Sequence, residues 1–287
     1  MPVLDIALAV LTQILWGPTF TLVKESLNAW FAPTILVAFA YGLIALIFSP
    51  FLPKPKTDPK VLFVLALFGA TVQTSLTFYS LNLLPASLAI LLMQLQLPIA
   101  VVTSWFAGRD KFSAKNAIGC LICLAGLVIV VGRPEGTDAF LGIGAMVLAV
   151  LFWAVAQVFI PIVAKDQGIA LYAAMARHAT PQMLVVALVL ESDDLAQLPA
   201  VPLQGWLALL GITIFGFALP YSIWYRLLMR RRIDELMPFL LLMPIFGVTA
   251  AAWQLGEKLP PSLLTGGAII LAGLAVIVFR RRAVPAS

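Results

Sequence analysis

The sequence predicts an all-α integral membrane protein, with ten transmembrane helices as two inverted five-helix repeats around a central cavity. Three observations predict it. Of 287 residues, 62% are hydrophobic and only 11% are charged, against about 25% charged in a soluble domain. Ten apolar runs, roughly 4–23, 31–52, 61–82, 86–106, 114–132, 139–164, 169–190, 203–228, 235–255 and 262–279, are each of about the length that crosses a ~30 Å hydrocarbon core. The chain also repeats itself. Leu95-Gln96-Leu97-Pro98, Trp105, Gly108-Arg109-Asp110-Lys111 and Leu124-Ala125-Gly126-Leu127 are answered by Met243-Pro244, Trp253, Gly256-Glu257-Lys258 and Leu271-Ala272-Gly273-Leu274. Pro244 lies 146 residues after Pro98, Tyr225 lies 146 after Tyr79, and Trp153 lies 137 after Trp16. The repeats divide the chain at 1–135 and 136–287, with a short C-terminal tail on the second. Each holds five spans, and two copies of an odd number of spans enter a bilayer in opposite orientations. Many secondary transporters are built this way, with the cargo site near the midplane.

The net charge of +5 does not mark a nucleic-acid surface, because the cations alternate between loops. With the N-terminus inside, one face holds Lys54, Lys56, Lys60, Arg109, Lys111, Lys115, Lys165, Arg226, Arg230, Arg231, Arg232, Arg280, Arg281 and Arg282, fourteen of the eighteen Lys and Arg. The other face has Lys24, Arg133 and Lys258, beside Glu191, Asp193 and Asp194. The positive-inside rule then puts both termini in the cytoplasm. The first run has Asp5 in place of a basic leader and reads as a retained span. Cys120 and Cys123 lie within the fifth span without a second ligand pair and read as packing residues.

The first span carries Trp16-Gly17-Pro18, in which proline removes a backbone bond. It is read either as a hinge beside the pathway or as a kink with Gly17 as a packing notch. Trp16, Phe20 and Lys24 share one face by their i+4 spacing. The third span is the most polar of the first half, with Gln73, Thr77 and Ser80 in a stripe at i, i+4, i+7. Glutamine is costly to hide in hydrocarbon, which favours a wet cavity wall over simple interhelical bonding. In the fourth span Gln94 and Gln96 precede Pro98 and point to different faces, so one of them at most lines a cavity. In the sixth, Trp153 and Gln157 share a face.

The seventh span holds Arg177-His178-Ala179-Thr180-Pro181-Gln182, eight to thirteen residues in from Ile169. That count sets Arg177 near the bilayer centre, where a charge costs about 2.5–3.5 kcal/mol. No acidic residue lies equally deep, so either carbonyls and water or a substrate carboxylate must meet it, and the planar guanidinium suits a carboxylate. His178 is the single histidine, either a neutral hydrogen-bonded group or a proton carrier. In the eighth span Tyr221 and Trp224 are candidates for the cavity wall, and Tyr225 reads as an interfacial anchor.

Trp16-Gly17-x-x-Phe20-x-x-x-Lys24, the paired Gly-acid-Lys turns and the doubled Leu-Ala-Gly-Leu resemble the EamA-type members of the drug/metabolite transporter superfamily. The resemblance implies ten helices in two inverted repeats, a central cavity and alternating access. It implies export of small metabolites, amino acids and their derivatives prominent among them. Ala86-Ser87 followed by Leu92-x-Gln94-x-Gln96 is similar to the branch that exports cysteine and O-acetylserine. The chain departs from the family in carrying Ala40 or Tyr41 where an arginine is common; Arg177 is the repeat-equivalent of Ala40.

The sequence-based expectation is therefore an exporter of amino acids or similar metabolites in the inner (plasma) membrane, not an enzyme, with neither cofactor nor metal. A drug or nucleotide-sugar carrier and a passive channel stay open as alternatives. Its expected partners are a small-molecule cargo and the lipid bilayer, without nucleic acid, and it is taken as a monomer. Trp16, Gln73, Thr77, Gln94, Trp153, Gln157, Arg177, His178, Tyr221 and Trp224 are the expected cargo contacts. Gly17, Pro18, Pro98, Pro181 and Pro244 are the expected hinges.

Overall fold

The computed structural model describes residues 1–108, 113–132, 136–231 and 233–278. The first-half Gly-acid-Lys turn at Asp110-Lys111, Arg109, Arg133, Arg232 and the arginines from Arg280 lie outside them. Ten spans are present: α1 (Val3–Ala29), α2 (Pro33–Phe48), α3 (Pro59–Leu83), α4 (Ala86–Phe106), α5 (Ala114–Val131), α6 (Gly136–Val163), α7 (Gly168–Leu190), α8 (Leu203–Arg230), α9 in two pieces (Ile233–Leu240 and Leu242–Gln254) and α10 (Pro261–Val278). The described residues contain no strand.

The two halves break their helices at matching places. A π-helical stretch interrupts α3 at Leu67–Val72 and α8 at Ile212–Ala218. Its glycine lets a helix of the opposite half come close. A Cβ on Gly69 would stand 3.0 Å from the Ala156 Cβ, and one on Gly216 would stand 2.4 Å from Thr19 Cγ2. Ala156 follows Thr19 by the same 137 residues that separate Trp153 from Trp16, so the contact is reciprocal. The fourth and ninth spans are broken too, by a 3-10 turn at Met93–Leu95 and by a turn at Leu241. Pro98 and Pro244 each sit in the first turn after the break, where a missing N–H costs nothing. Pro18 and Pro181 instead lie inside continuous helices, with no break at either. Gly17 is a notch: its Cβ would stand 2.7 Å from the Gly247 amide of α9.

Charged side chains tie the helix ends and show that the halves run in opposite directions. Lys24, near the C-terminal end of α1, donates to the carbonyls of Leu81 and Asn82 at the C-terminal end of α3 (2.7 and 3.0 Å). Glu191, just after α7, accepts from the amides of Thr34 and Ile35 that open α2. Glu257, after α9, accepts from the Ala86 and Ser87 amides and the Ser87 hydroxyl that open α4. A carboxylate at a helix N-terminus satisfies orphan amides and complements the dipole. At the opposite end Asp5, in the first turn of α1, bonds Arg231 just after α8. Asp166, just after α6, accepts from the Thr57 hydroxyl (2.6 Å) and from the amides of Lys56 and Thr57 in the loop before α3. Thus α1 and α3 end at the Lys24 end, whereas their repeat partners α6 and α8 end at the Arg231 end. Burial alone would push the Asp166 carboxyl up, but the Thr57 hydroxyl, the two amides and the Lys56 charge outweigh it and hold the group below its ordinary value.

The symmetry axis runs through the α5–α10 pair. Gly119 and Gly126 of α5 meet Gly266 and Gly273 of α10 backbone to backbone, and a Cβ on Gly126 would stand 2.7 Å from both the Gly266 carbonyl and the Ile270 amide. Small residues at such a seam let helices associate in a solvent as apolar as their side chains. Cys123 packs in the same seam, with Sγ 3.6 Å from the Ile270 carbonyl. Gly126→Val should lower the melting temperature of the detergent-purified protein, because backbone cannot yield as a side chain does; overpacking costs roughly 1–3 kcal/mol. Gly144→Ala, whose Cβ meets nothing within 4 Å, should hold or raise the melting temperature, since alanine loses less backbone freedom in a helix.

Candidate functional site

The inner faces of α1, α3, α4, α6, α8 and α9 line a cavity between the two repeats. From α1 come Trp16, Thr19, Phe20 and Val23; from α3, Gln73, Thr74, Thr77, Phe78 and Leu81; from α4, Met93 and Gln96. Trp153 of α6, Gly216, Phe217 and Tyr221 of α8, and Met243 of α9 complete the wall. Among the described residues, no Lys, Arg, His, Asp or Glu lines it. Val23 and Leu81 set its extent toward the Lys24 end, and rings close it toward the other. The Trp16 ring lies 6.3 Å from Trp153, 5.1 Å from Tyr221 and 5.5 Å from Trp224. Tyr221 stacks on Tyr172 at 4.8 Å and on Phe217 at 5.9 Å. Tyr41 braces both Tyr172 and Phe217 at 5.5 Å.

The polar wall on α3 is largely bonded to itself. Gln73 Nε2 donates to Thr77 Oγ1, Thr74 Oγ1 donates to Gln73 Oε1, and Thr77 Oγ1 donates to the Gln73 carbonyl. The indoles behave differently from one another. Trp153 Nε1 donates to Gln96 Oε1 at 2.8 Å, and Trp224 Nε1 donates to Gln157 Oε1 at 2.8 Å. Trp16 Nε1 is buried with no partner among the described residues, although an indole N–H in an apolar wall ordinarily finds one.

Of the expected contacts, Trp16, Gln73, Thr77, Trp153 and Tyr221 line this cavity together. Gln94 does not. The 3-10 turn at Met93–Leu95 carries Gln96 into the cavity and leaves Gln94 fully buried away from it, with both amide atoms unpartnered. Gln157 and Trp224 line a separate, smaller cavity nearer the Arg231 end, with Gln96, Leu97, Ala100, Ala154 and Leu240. Arg177 is exposed on the outside of α7 and reaches neither cavity. The His178 ring lies 6.4 Å from that of Phe63, and Gln182 Nε2 donates to the Phe63 carbonyl. Phe63 stands only about 6 Å along α3 from its start at Pro59. His178 packs on Phe63, off the cavity. Tyr225 is no interfacial anchor: it is buried against Tyr172 and Tyr221.

Sequence reasoning missed Phe217, Thr74 and the Tyr41–Tyr172 pair behind Tyr221. Gln73, Thr74, Thr77, Phe78 and Leu81 fall at i, i+1, i+4, i+5 and i+8, one face of the regular helix that follows the π-helical stretch. Among the described residues, no three His, Cys, Asp or Glu side chains gather as metal ligands would.

The sequence pattern of the EamA-like transporter family matches residues 4–132 and again 140–279. The chain belongs to that family. A protein of Salmonella typhimurium described as a "Probable amino-acid metabolite efflux pump" is 27% identical over 281 residues, covering 95% of this chain and 94% of the relative. Its Escherichia coli counterpart, with the same description, is 26% identical over 287 residues, covering 97% and 96%. An "Uncharacterized transporter YvbV" of Bacillus subtilis is 22% identical over 279 residues, covering 94% and 90%. A solved protein structure with 19% identical residues superposes with a TM-score of 0.66 over 94% of this chain and 95% of that one, which shows the fold. As an EamA-type transporter the chain is a multi-pass membrane protein, and it resembles metabolite efflux pumps over nearly its whole length.

Two indoles of this EamA cavity allow a paired measurement. Trp153→Phe strands the Gln96 carbonyl oxygen and should destabilise the protein by about 1–3 kcal/mol. Trp16→Phe loses the same ring volume but no hydrogen bond among the described residues, and its melting temperature should fall less. Equal losses in the two melts would contradict the assignment.

Proposed function

We propose that this EamA-type transporter exports a small metabolite, an amino acid or amino-acid derivative, from the cytoplasm across the inner (plasma) membrane by alternating access. The observation that carries the reading is an aromatic, uncharged cavity between two inverted halves, with side-chain ties at each end of the bundle. The names of the Salmonella and Escherichia relatives support the cargo class. The positive-inside count supports placing the Arg231 end and both termini in the cytoplasm. The protein acts as a carrier rather than an enzyme, and needs no cofactor for this task.

The absence of charge from the wall shapes how a zwitterion is met. Its ammonium faces the Trp16, Trp153 and Tyr221 rings, whose π-electrons attract cations at up to about 2 kcal/mol when desolvated. Its carboxylate takes the free Trp16 Nε1–H and amide hydrogens of the glutamine wall. Arg177, outside the bundle, is not part of this contact. The same apolar wall favours a second reading, an apolar drug-like cargo.

In everted membrane vesicles, uptake of amino acids should saturate with concentration and be inhibited by unlabelled amino acid. Trp16→Phe should weaken half-saturation without loss of folded protein. Flux that rises linearly without competition would reject the carrier, and inhibition by apolar drugs alone would favour the second reading. Arg177→Ala should transport normally.

A further inference from the structure

Arg177 is the charge that neither the fold nor the cavities use. It is exposed on the outer face of α7, and no hydrogen bond or ion pair holds it among the described residues. A cation on a helix surface that faces lipid is unfavourable unless an anion or water meets it. Its neighbours on that face, Leu184, Val185 and Leu188, are exposed and apolar.

The face is bracketed by α2 and α3. A Cβ on Gly42 of α2 would stand 3.4 Å from Thr180 Cγ2, and His178 and Gln182 meet Phe63 of α3. Arg177 lies three residues from Thr180 toward the Arg231 end. Helical side chains lean toward the N-terminus of their own helix, so its guanidinium leans toward that same end. There the α2–α3 loop crosses the start of α7, held by Asp166 through the amides of Lys56 and Thr57 and the Thr57 hydroxyl. The loop exposes Lys54 and Lys56, and Lys60 is exposed in the first turn of α3. The two acids of this corner are engaged, Asp166 as above and Asp58 on the Lys60 amide (2.7 Å).

An anion that meets Arg177 must come to an apolar surface. A soluble anion would have to shed its water to do so. A second copy of the chain offers no Asp or Glu in the interior of any span. A phospholipid brings its phosphate on two acyl chains. A zwitterionic lipid would set its own cation among the lysines of the loop, whereas an anionic one would not.

We propose that the outer face of α7 between α2 and α3 binds an anionic phospholipid, whose acyl chains lie on Leu184, Val185 and Leu188 and whose phosphate accepts from Arg177 beneath the lysines of the α2–α3 loop. Basic clefts between membrane helices recognise such headgroups. The site is separate from the cargo path, which accounts for an arginine that reaches neither cavity.

Native mass spectrometry of the detergent-purified full chain tests this, with dioleoyl-phosphatidylglycerol and dioleoyl-phosphatidylcholine as probes. The first phosphatidylglycerol should bind about tenfold tighter than the first phosphatidylcholine, as a hydrogen bond between charged groups provides. Arg177→Gln should lose most of that preference, and Arg177→Lys, which keeps the charge, should retain part of it. Both variants should melt like the wild type without added lipid. Arg226→Gln, which removes an exposed cation near the same end of α8, should leave the preference intact. Equal affinity for the two lipids, a preference that survives Arg177→Gln, or an equal loss in Arg226→Gln would overturn the site. Displacement of phosphatidylglycerol by soluble glycerol 3-phosphate at equal concentration would also overturn it, by marking a site for anions in water.

Discussion

Hydrocarbon offers no hydrogen bonds, and that absence organises this protein more than any attraction does. Every helix end and every polar side chain must find its partner within the chain. The carboxylates of Glu191, Glu257 and Asp166 settle this at the ends by closing on amides of segments more than a hundred residues away. Because each tie joins helix ends at the same level, the ties also register the two halves against one another. Lys24 does the same for the carbonyls that close α3. Of the polar groups away from the ends, Gln73, Thr74, Thr77 and Gln96 gather at the cavity wall.

Inverted duplication supplies the cavity, and later divergence gives it a direction. The backbone is close to two-fold: matching π-helical turns, matching breaks before Pro98 and Pro244, and a glycine seam on the axis. The side chains facing the centre are not. Trp16 Nε1 has no partner among the described residues, whereas its repeat-equivalent Trp153 bonds Gln96. Gln157 has Phe20 as its equivalent. A symmetric shell lets the two halves exchange conformations, and an asymmetric lining lets the two ends treat a cargo differently.

The architecture was legible in the sequence because it follows from quantities that a sequence carries: the length of apolar runs, the spacing of a repeat and the alternation of cations. Trp16, Gln73, Thr77, Trp153 and Tyr221 were legible as cavity residues because indoles, phenols and amides are costly in lipid and recur at helical spacing. Arg177 misled because its position along α7 does not say which side of the helix faces a cavity. Gln94 and Gln96 could be told apart only by the 3-10 turn between them, which rotates one inward and the other into the packing. The cause is a local change of helical pitch, which residue types do not announce.

The central claim is that equivalent positions in the two repeats lie on opposite sides of the membrane. Lys56 and Asp193 are such a pair, 137 residues apart and both exposed. In a protein whose Cys120 and Cys123 are replaced by alanine, single cysteines at these two positions can be probed with a membrane-impermeant maleimide. The inverted repeat predicts that right-side-out vesicles label the cysteine at 193 and not that at 56, and that everted vesicles do the reverse. Labelling of both from the same side would contradict it.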